Sequence, residues 1–242
     1  MDNSSLPVAV ITGASRRLGL LMVSSFLARG WRVVALTRTV SDELSNLSCD
    51  ELECVHFDAL DASNIETVVK RLQARYEHID FLLHNASIYE KDAEHEDDFS
   101  DFYDSLYKIH MKTPAQLNRR LEGQLTKSIR PTANVIHITD IYVSNPNPDY
   151  ALYCSTKAGL ESLMISDAKR LAPKVRVNAI RPGPVKFLPE HSDSDQKKVL
   201  QETLLATEGG FEVLEQAIWS ILDNEYMTAA VVKVDGGRSV AR

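Results

Sequence analysis

Tyr153 and Lys157 bound the run Tyr153-Cys154-Ser155-Thr156-Lys157. On a helix, that spacing brings a phenol and an ammonium to one face. A tyrosine with an ordinary pKa of about 10 is a poor acid at neutrality, and an adjacent cation lowers it toward the useful range. The pair therefore reads as a proton donor for a reduction. Taken alone the spacing is frequent and carries little weight, so its meaning depends on the elements that hold it.

Those elements alternate. Short β-rich runs are predicted at Val8–Thr12, Arg32–Thr37, Glu53–Asp58, Phe81–Asn85, Ala133–Thr139, Val175–Ile180 and Ala230–Val234. Most are continuous apolar runs, as in a parallel sheet buried on both faces. Between them helices are predicted at Leu20–Arg29, closed by Gly30, and at Asn64–Tyr76, opened by Ser63 and Glu66 at capping-box spacing. Further helices are expected at Phe99–His110, Pro114–Ile129, Leu152–Leu171 and Phe211–Leu222. No repeat or linker divides residues 1–242, so the pattern reads as one α/β domain of Rossmann type, doubly wound with helices on both faces. Right-handed crossovers place its ligand beyond the carboxyl ends of the strands, where the strand order reverses. Glu90–Asp98 and Lys186–Lys198 read as loops at the rim of that site, with plain solvated loops as the alternative. A substrate lid is expected near residues 186–205.

The first strand runs into Thr12-Gly13-Ala14-Ser15-Arg16-Arg17-Leu18-Gly19 and then a helix. Unpaired N–H groups and the positive end of the dipole at such a helix start can hold a pyrophosphate. Gly13 permits the tight turn and Gly19 the close helix packing. Arg17 stands where a close-approach glycine is usual, so its side chain must point toward the ligand, and an ordinary strand–turn–helix is the competing reading. The second strand ends at Thr37-Arg38-Thr39. There an acidic residue would bind a free ribose hydroxyl, whereas arginine flanked by hydroxyls can pair with a 2′-phosphate. Arg38 thus argues for NADPH, against the alternative of an exposed strand-end arginine. Asp58 is placed for the adenine edge, or equally for a turn or cap.

A net charge of −7 and the lack of a Lys/Arg run give no footprint for nucleic acid or anionic lipid. The polar start Met1–Pro7 and the lack of an apolar stretch of ~18 residues give no sign of a signal or membrane span, so the chain is expected to be cytoplasmic. Cys49, Cys54 and Cys154 lack metal-ligand spacing and read as free thiols in a reducing compartment, with no metal.

Together with the glycine loop, Asn85-Ala86 and Asn178-Ala-Ile-Arg-Pro-Gly-Pro-Val185, the Tyr153–Lys157 pair resembles the short-chain dehydrogenase/reductase superfamily over nearly the whole chain. The resemblance implies a seven-stranded parallel sheet and a nicotinamide cofactor, with Tyr153 as proton donor and Lys157 as its partner on the nicotinamide ribose. It extends the cofactor site to Ser15, Arg16, Leu18, Ala59, Thr139, Pro182, Gly183 and Val185. Three departures narrow the likeness. Asp140 replaces the serine 13 residues before the tyrosine, His84-Asn85-Ala86-Ser87 replaces Asn-Asn-Ala-Gly, and Arg17 replaces the middle glycine. These resemble the pteridine reductases and bacterial dihydromonapterin reductases, which implies a pterin or folate substrate.

By that resemblance Ser87 contacts the pterin and the cofactor phosphates, Tyr89 stacks on the pterin opposite the nicotinamide, and Arg17 reaches the phosphate and the pterin edge. Asp140 disfavours the Tyr153 phenolate and relays protons to the nitrogen of a C=N bond. His110 takes the place of the asparagine that links the lysine to water; it is either a proton carrier or a packed helix residue. A carbonyl reductase in which Asp140 is incidental is the competing enzyme. A non-catalytic dinucleotide sensor is the third reading, which the intact Tyr153–Lys157 pair argues against. The family likeness also implies a homotetramer, for which Leu160, Leu163, Met164 and Leu171 would supply apolar helix surface.

Overall fold

The computed structural model describes residues 6–187 and 192–241. The start at residues 1–5 and residues 188–191 of the expected lid lie outside the described residues. Seven parallel strands form one sheet: β1 (Val8–Thr12), β2 (Arg32–Thr37), β3 (Leu52–His56), β4 (Phe81–His84), β5 (Ala133–Ile138), β6 (Val175–Pro182) and β7 (Val231–Val234). Their order is β3-β2-β1-β4-β5-β6-β7, so the winding reverses between β1 and β4. The carboxyl ends of these two strands flank the crevice where such folds bind ligands.

The helices are α1 (Arg17–Ala28), α2 (Asp42–Ser45), α3 (Ala62–Arg75), α4 (Phe99–Tyr107), α5 (Thr113–Arg120), α6 (Glu122–Leu125), α7 (Ala151–Leu171), α8 (Asp193–Gln201) and α9 (Glu212–Asp223). Alternate residues of each strand feed two cores. Val8, Val10, Leu82 and Val135 pack with residues of α3, α5 and α7 on one face. Ala9, Ile11, Leu83 and Ile136 pack with α1 and α9 on the other. Phe26 gathers Trp31, Phe81 and Trp219 around it on the second face, with ring centroids 4.7–4.8 Å away. No described helix is long and apolar enough to cross a membrane.

Several expectations are corrected. The cap of α3 is Asp61, whose carboxylate accepts from Ser63 N and Asn64 N; it takes the first-turn donors ahead of Ser63, while Glu66 pairs with Arg120. The helix expected over Pro114–Ile129 breaks at Leu121 into α5 and α6 and ends by Leu125. The helix expected over Phe99–His110, with a break before Pro114, instead ends as α-helix at Tyr107 and runs on into α5 through a π-helical turn at Lys108–Lys112. Pro114 supplies the reason: it has no N–H for the carbonyl of His110 and its ring clashes with that carbonyl, so the preceding turn widens.

Lys186–Lys198 is not all loop, because α8 begins at Asp193; Asp193 at its start and Lys198 in its last turn suit the helix dipole. Glu90–Asp98 contains a short 3₁₀ turn at Asp92–His95. On α7, Leu160, Met164 and Leu171 are at most 3% exposed, so three of the four apolar side chains expected on an outer surface are buried within this chain, and Leu163 is partly exposed.

Candidate active site

The loop after β1 is shaped by its glycines. Gly13 adopts φ +66, and its N donates to Leu36 O at 2.9 Å, tying the turn to the end of β2. A Cβ on Gly19 would stand 2.1 Å from Gly13 O, so only glycine lets α1 approach the loop this closely. Arg17 itself takes φ +53, the left-handed conformation a glycine would adopt freely. Ser41 Oγ donates to Ser15 O at 2.8 Å and fixes the outer side of the loop.

Thr12 holds the other side. Its Oγ1 accepts from Asn85 N at 3.0 Å and Ala86 N at 3.1 Å. Asn85 Nδ2 in turn donates to Thr12 O and Gly13 O at 3.2 and 3.1 Å. Asn85 therefore acts here as a brace between β4 and the loop.

Behind this loop opens a cleft of about 460 Å³, within the usual range for a small-molecule site. It brings together Gly13, Ser15, Arg16, Arg17, Leu18, Thr37, Arg38, Thr39, Asp58, Ala59, Asn85, Ala86, Ser87, Thr139, Asp140, Tyr153, Lys157, Pro182 and Val185. Gly19 lies beneath the loop, and Gly183 is pressed against Asp235, where a Cβ would fall 2.7 Å from the Asp235 Cβ. Asp58 Oδ1 accepts from Leu60 N at 2.9 Å, so the carboxylate serves a turn as well as facing the cleft. Leu36, Phe57, Ile109, Ile138, Phe211 and Leu214 also line the cleft and were not anticipated. They are apolar positions at element ends, where sequence shows burial but not which cavity the side chain faces.

The reacting groups meet at the ends of β5 and α7. Tyr153 Oη donates to Asp140 Oδ2 at 3.0 Å, while Asp140 Oδ1 accepts from Tyr142 N at 2.8 Å. Lys157 Nζ donates to Ile138 O at 2.9 Å and lies 5.4 Å from the centre of the Tyr153 ring. Burial, followed by the Asp140 charge, pushes Tyr153 well above the ordinary tyrosine value. This reverses the direction expected from the lysine: the ammonium is turned to a backbone carbonyl, and the carboxylate holds the phenol proton. Burial lowers Lys157 to about 8 and raises Asp140. Thr139 Oγ1 donates to Glu161 Oε1 at 2.8 Å, which fixes the residue beside Asp140.

Tyr89 does not line the cleft. It is half exposed and stacks on Tyr150 at 4.4 Å and 5°, with an edge contact to Tyr153 at 4.9 Å. His110 is 1% exposed on the π-helical turn, between Ser87 Oγ at 2.8 Å and Thr156 Oγ1 at 2.9 Å. Burial and the Lys157 charge hold it well below the ordinary histidine value, so it is a neutral, packed ring.

The sequence profile of the short chain dehydrogenase family matches residues 7–198. The dihydromonapterin reductase of Citrobacter koseri is 28% identical over 236 residues, which is 98% of each chain. That of Klebsiella pneumoniae is 29% identical over 231 residues, 95% of each chain. Among solved structures, FolM alternative dihydrofolate reductase 1 from Brucella canis, complexed with NADP, superposes with a TM-score of 0.85 at 25% identity, covering 99% of this chain and 96% of that one. A 4-hydroxyisoleucine dehydrogenase complexed with NADH gives a TM-score of 0.88 at 20% identity, covering 98% and 100%; at that identity the likeness concerns the fold.

Proposed function

This chain belongs to the short chain dehydrogenase family and is an NADPH-dependent oxidoreductase, and from that premise we propose that its substrate is a dihydropteridine, reduced to the tetrahydro form. The observation that carries the reading is the 3.0 Å bond from Tyr153 Oη to Asp140 Oδ2. A carbonyl reductase has no need of a carboxylate against its acid, because a neutral partner polarises a ketone oxygen without raising the phenol. Reduction of a C=N bond requires a proton on nitrogen. Asp140 keeps Tyr153 protonated and, partly exposed beside the buried phenol, would return a proton to it from solvent. The dihydromonapterin and dihydrofolate reductases named above support the same substrate class.

The cleft fits the cofactor. The left-handed Arg17, the glycine turn and the start of α1 form a cradle in which Ser15, Arg16 and Leu18 would hold a pyrophosphate. Thr37, Arg38 and Thr39 would hold the 2′-phosphate, and Asp58 and Ala59 the adenine. Asn85, Ala86, Thr139, Lys157, Pro182, Gly183 and Val185 would surround the nicotinamide half. When bound, NADPH supplies the hydride. Arg17, Ser87, Asp140 and Tyr153 are proposed to take the pterin, and Tyr89 would have to leave Tyr150 to stack on it, with residues 186–205 as the lid of one catalytic domain. Three free thiols fit a reducing cytoplasm.

NADPH oxidation with dihydromonapterin, dihydrobiopterin, dihydrofolate and a panel of ketones, side by side, tests the proposal. Turnover of at least one dihydropteridine well above every ketone is expected. Turnover of ketones alone would replace it with the carbonyl-reductase reading.

A further inference from the structure

We propose that His110 is a positioning residue that fixes the direction of the hydrogen bond at Ser87, so that Ser87 meets the ligand as an acceptor and selects an N–H group there. The argument is a count of protons. Thr156 Oγ1 donates to Tyr153 O at 2.9 Å and also lies 2.9 Å from His110 Nδ1. A hydroxyl has one proton, so with that proton on Tyr153 O the histidine must donate from Nδ1. A neutral ring then has a bare Nε2, and its neighbour at 2.8 Å is Ser87 Oγ. Ser87 must donate to it.

The opposite tautomer is poorer. It would take the Thr156 proton from Tyr153 O and leave Ser87 to donate to Ile88 O at 3.3 Å, in place of bonds of 2.8–2.9 Å. A doubly protonated ring is disfavoured by its surroundings: the hydroxyls of Ser87 and Thr156, the edge-on Tyr153 ring at 5.3 Å and the charge of Lys157. No carboxylate hydrogen-bonds to the ring among the described residues.

Ser87 lines the cleft, and once its proton is held by His110 only lone pairs are left to face the ligand. A carbonyl or an unprotonated ring nitrogen would meet them lone pair to lone pair, whereas an amine or amide N–H would be bound. The Ser87 hydroxyl is likewise unable to donate to a cofactor phosphate, which narrows the double role the family likeness implied for it. The ligand half of this inference rests on the dihydropteridine reading, in which the amine of a 2-amino-4-oxo ring is the matching donor; the tautomer does not.

Two measurements test it. Long-range proton–nitrogen NMR of the imidazole in the wild-type protein should show the Nδ1–H tautomer at neutral pH, and an Nε2–H or doubly protonated His110 would overturn the proposal without reference to any substrate. The second is the ratio of kcat/KM for a 7,8-dihydropterin to that for the 7,8-dihydrolumazine carrying oxygen in place of the 2-amino group. One hydrogen bond gained against one repelled predicts a preference of about tenfold or more for the amine. His110→Phe should bring that ratio near unity. His110→Gln, whose oxygen can accept from Ser87 and whose amide can donate to Thr156, should restore it. A ratio unchanged in His110→Phe overturns the proposal; if that variant fails to fold, the tautomer and the Gln variant still decide. Failure of the wild type to reduce either compound would strike the substrate reading alone, because the tautomer is read without substrate.

Discussion

Replacing Asp140 by Asn isolates the charge beside Tyr153. The amide keeps an oxygen for Tyr142 N, now bonded at 2.8 Å, so the turn that follows β5 retains its cap. What disappears is a carboxylate 3.0 Å from a buried phenol. At the effective dielectric of about 20 suited to such sites, two unit charges about 4 Å apart repel by about 4 kcal/mol, or about 3 pKa units. The Tyr153 value, which burial and Asp140 together hold high, should therefore fall by an amount of that order in Asp140→Asn. The acid must be protonated to act, so the alkaline limb of the pH–rate profile should move to lower pH by about one to three units.

Turnover of dihydropterin at neutrality should also drop by roughly tenfold to a hundredfold, the worth of a hydrogen bond to a charged group. The assay is NADPH oxidation across pH under conditions that report kcat/KM. Tyr153→Phe should be comparably impaired and the double variant little worse than either alone, since the two residues act as one unit. An Asp140→Asn protein with full activity and an unmoved alkaline limb would refute the reasoning and return the residue to an incidental role.

Arg38→Asp should narrow or reverse the preference for NADPH over NADH, measured as the ratio of kcat/KM for the two cofactors; equal efficiency in the intact protein would remove Arg38 from phosphate recognition. His84 is buried, donates from Nε2 to Asn118 Oδ1 at 2.7 Å, and is lowered from 6.5 to about 4 by burial. A depressed value means stability is complete above pH 6.5 and is lost as pH falls through about 4, by about 3 kcal/mol from this group; urea unfolding of His84→Gln beside wild type should show the acid-side loss reduced in the variant. Phe99, Tyr103 and Tyr107 expose an aromatic stripe on α4, and Ile165 of α7 is 41% exposed. Association through this face into a tetramer is expected, and light scattering that shows a stable monomer at micromolar protein would refute it.

The strands were legible because a sheet buried on both faces needs unbroken apolar runs, and β1 and β2 fall on the predicted residues. The edge strand β3 was displaced by one to two residues, since it pairs only with β2 and carries a half-exposed pattern. Tyr153, Lys157, Asp140 and the glycine loop were legible because motif spacing survives folding. That Asp140 disfavours the Tyr153 phenolate was legible too, but whether it or Lys157 prevails was not, because that depends on burial and on which atom the Lys157 ammonium faces. Nor could spacing show that Tyr89 stacks on Tyr150, a contact between residues 61 positions apart in the chain. Asp61 was passed over as a cap because Ser63 and Glu66 match the capping-box spacing, although a carboxylate two residues earlier can start the helix sooner by taking the N–H groups of Ser63 and Asn64.

The π-helical turn at Lys108–Lys112 amounts to one residue more than an α-helix of that height would hold. It sets a phase. Deleting a single residue there would let the segment relax to an α-helix of the same height, leaving the helices on either side where they are but changing which side chains the turn presents. The side chain between Ser87 and Thr156 would then no longer be that of residue 110, whatever its identity. The stretch from α4 to α5 is therefore expected to bear many changes of letter and very few changes of length. A relative with one residue fewer there would carry a different frame of side chains into the site, even where every neighbouring residue is the same.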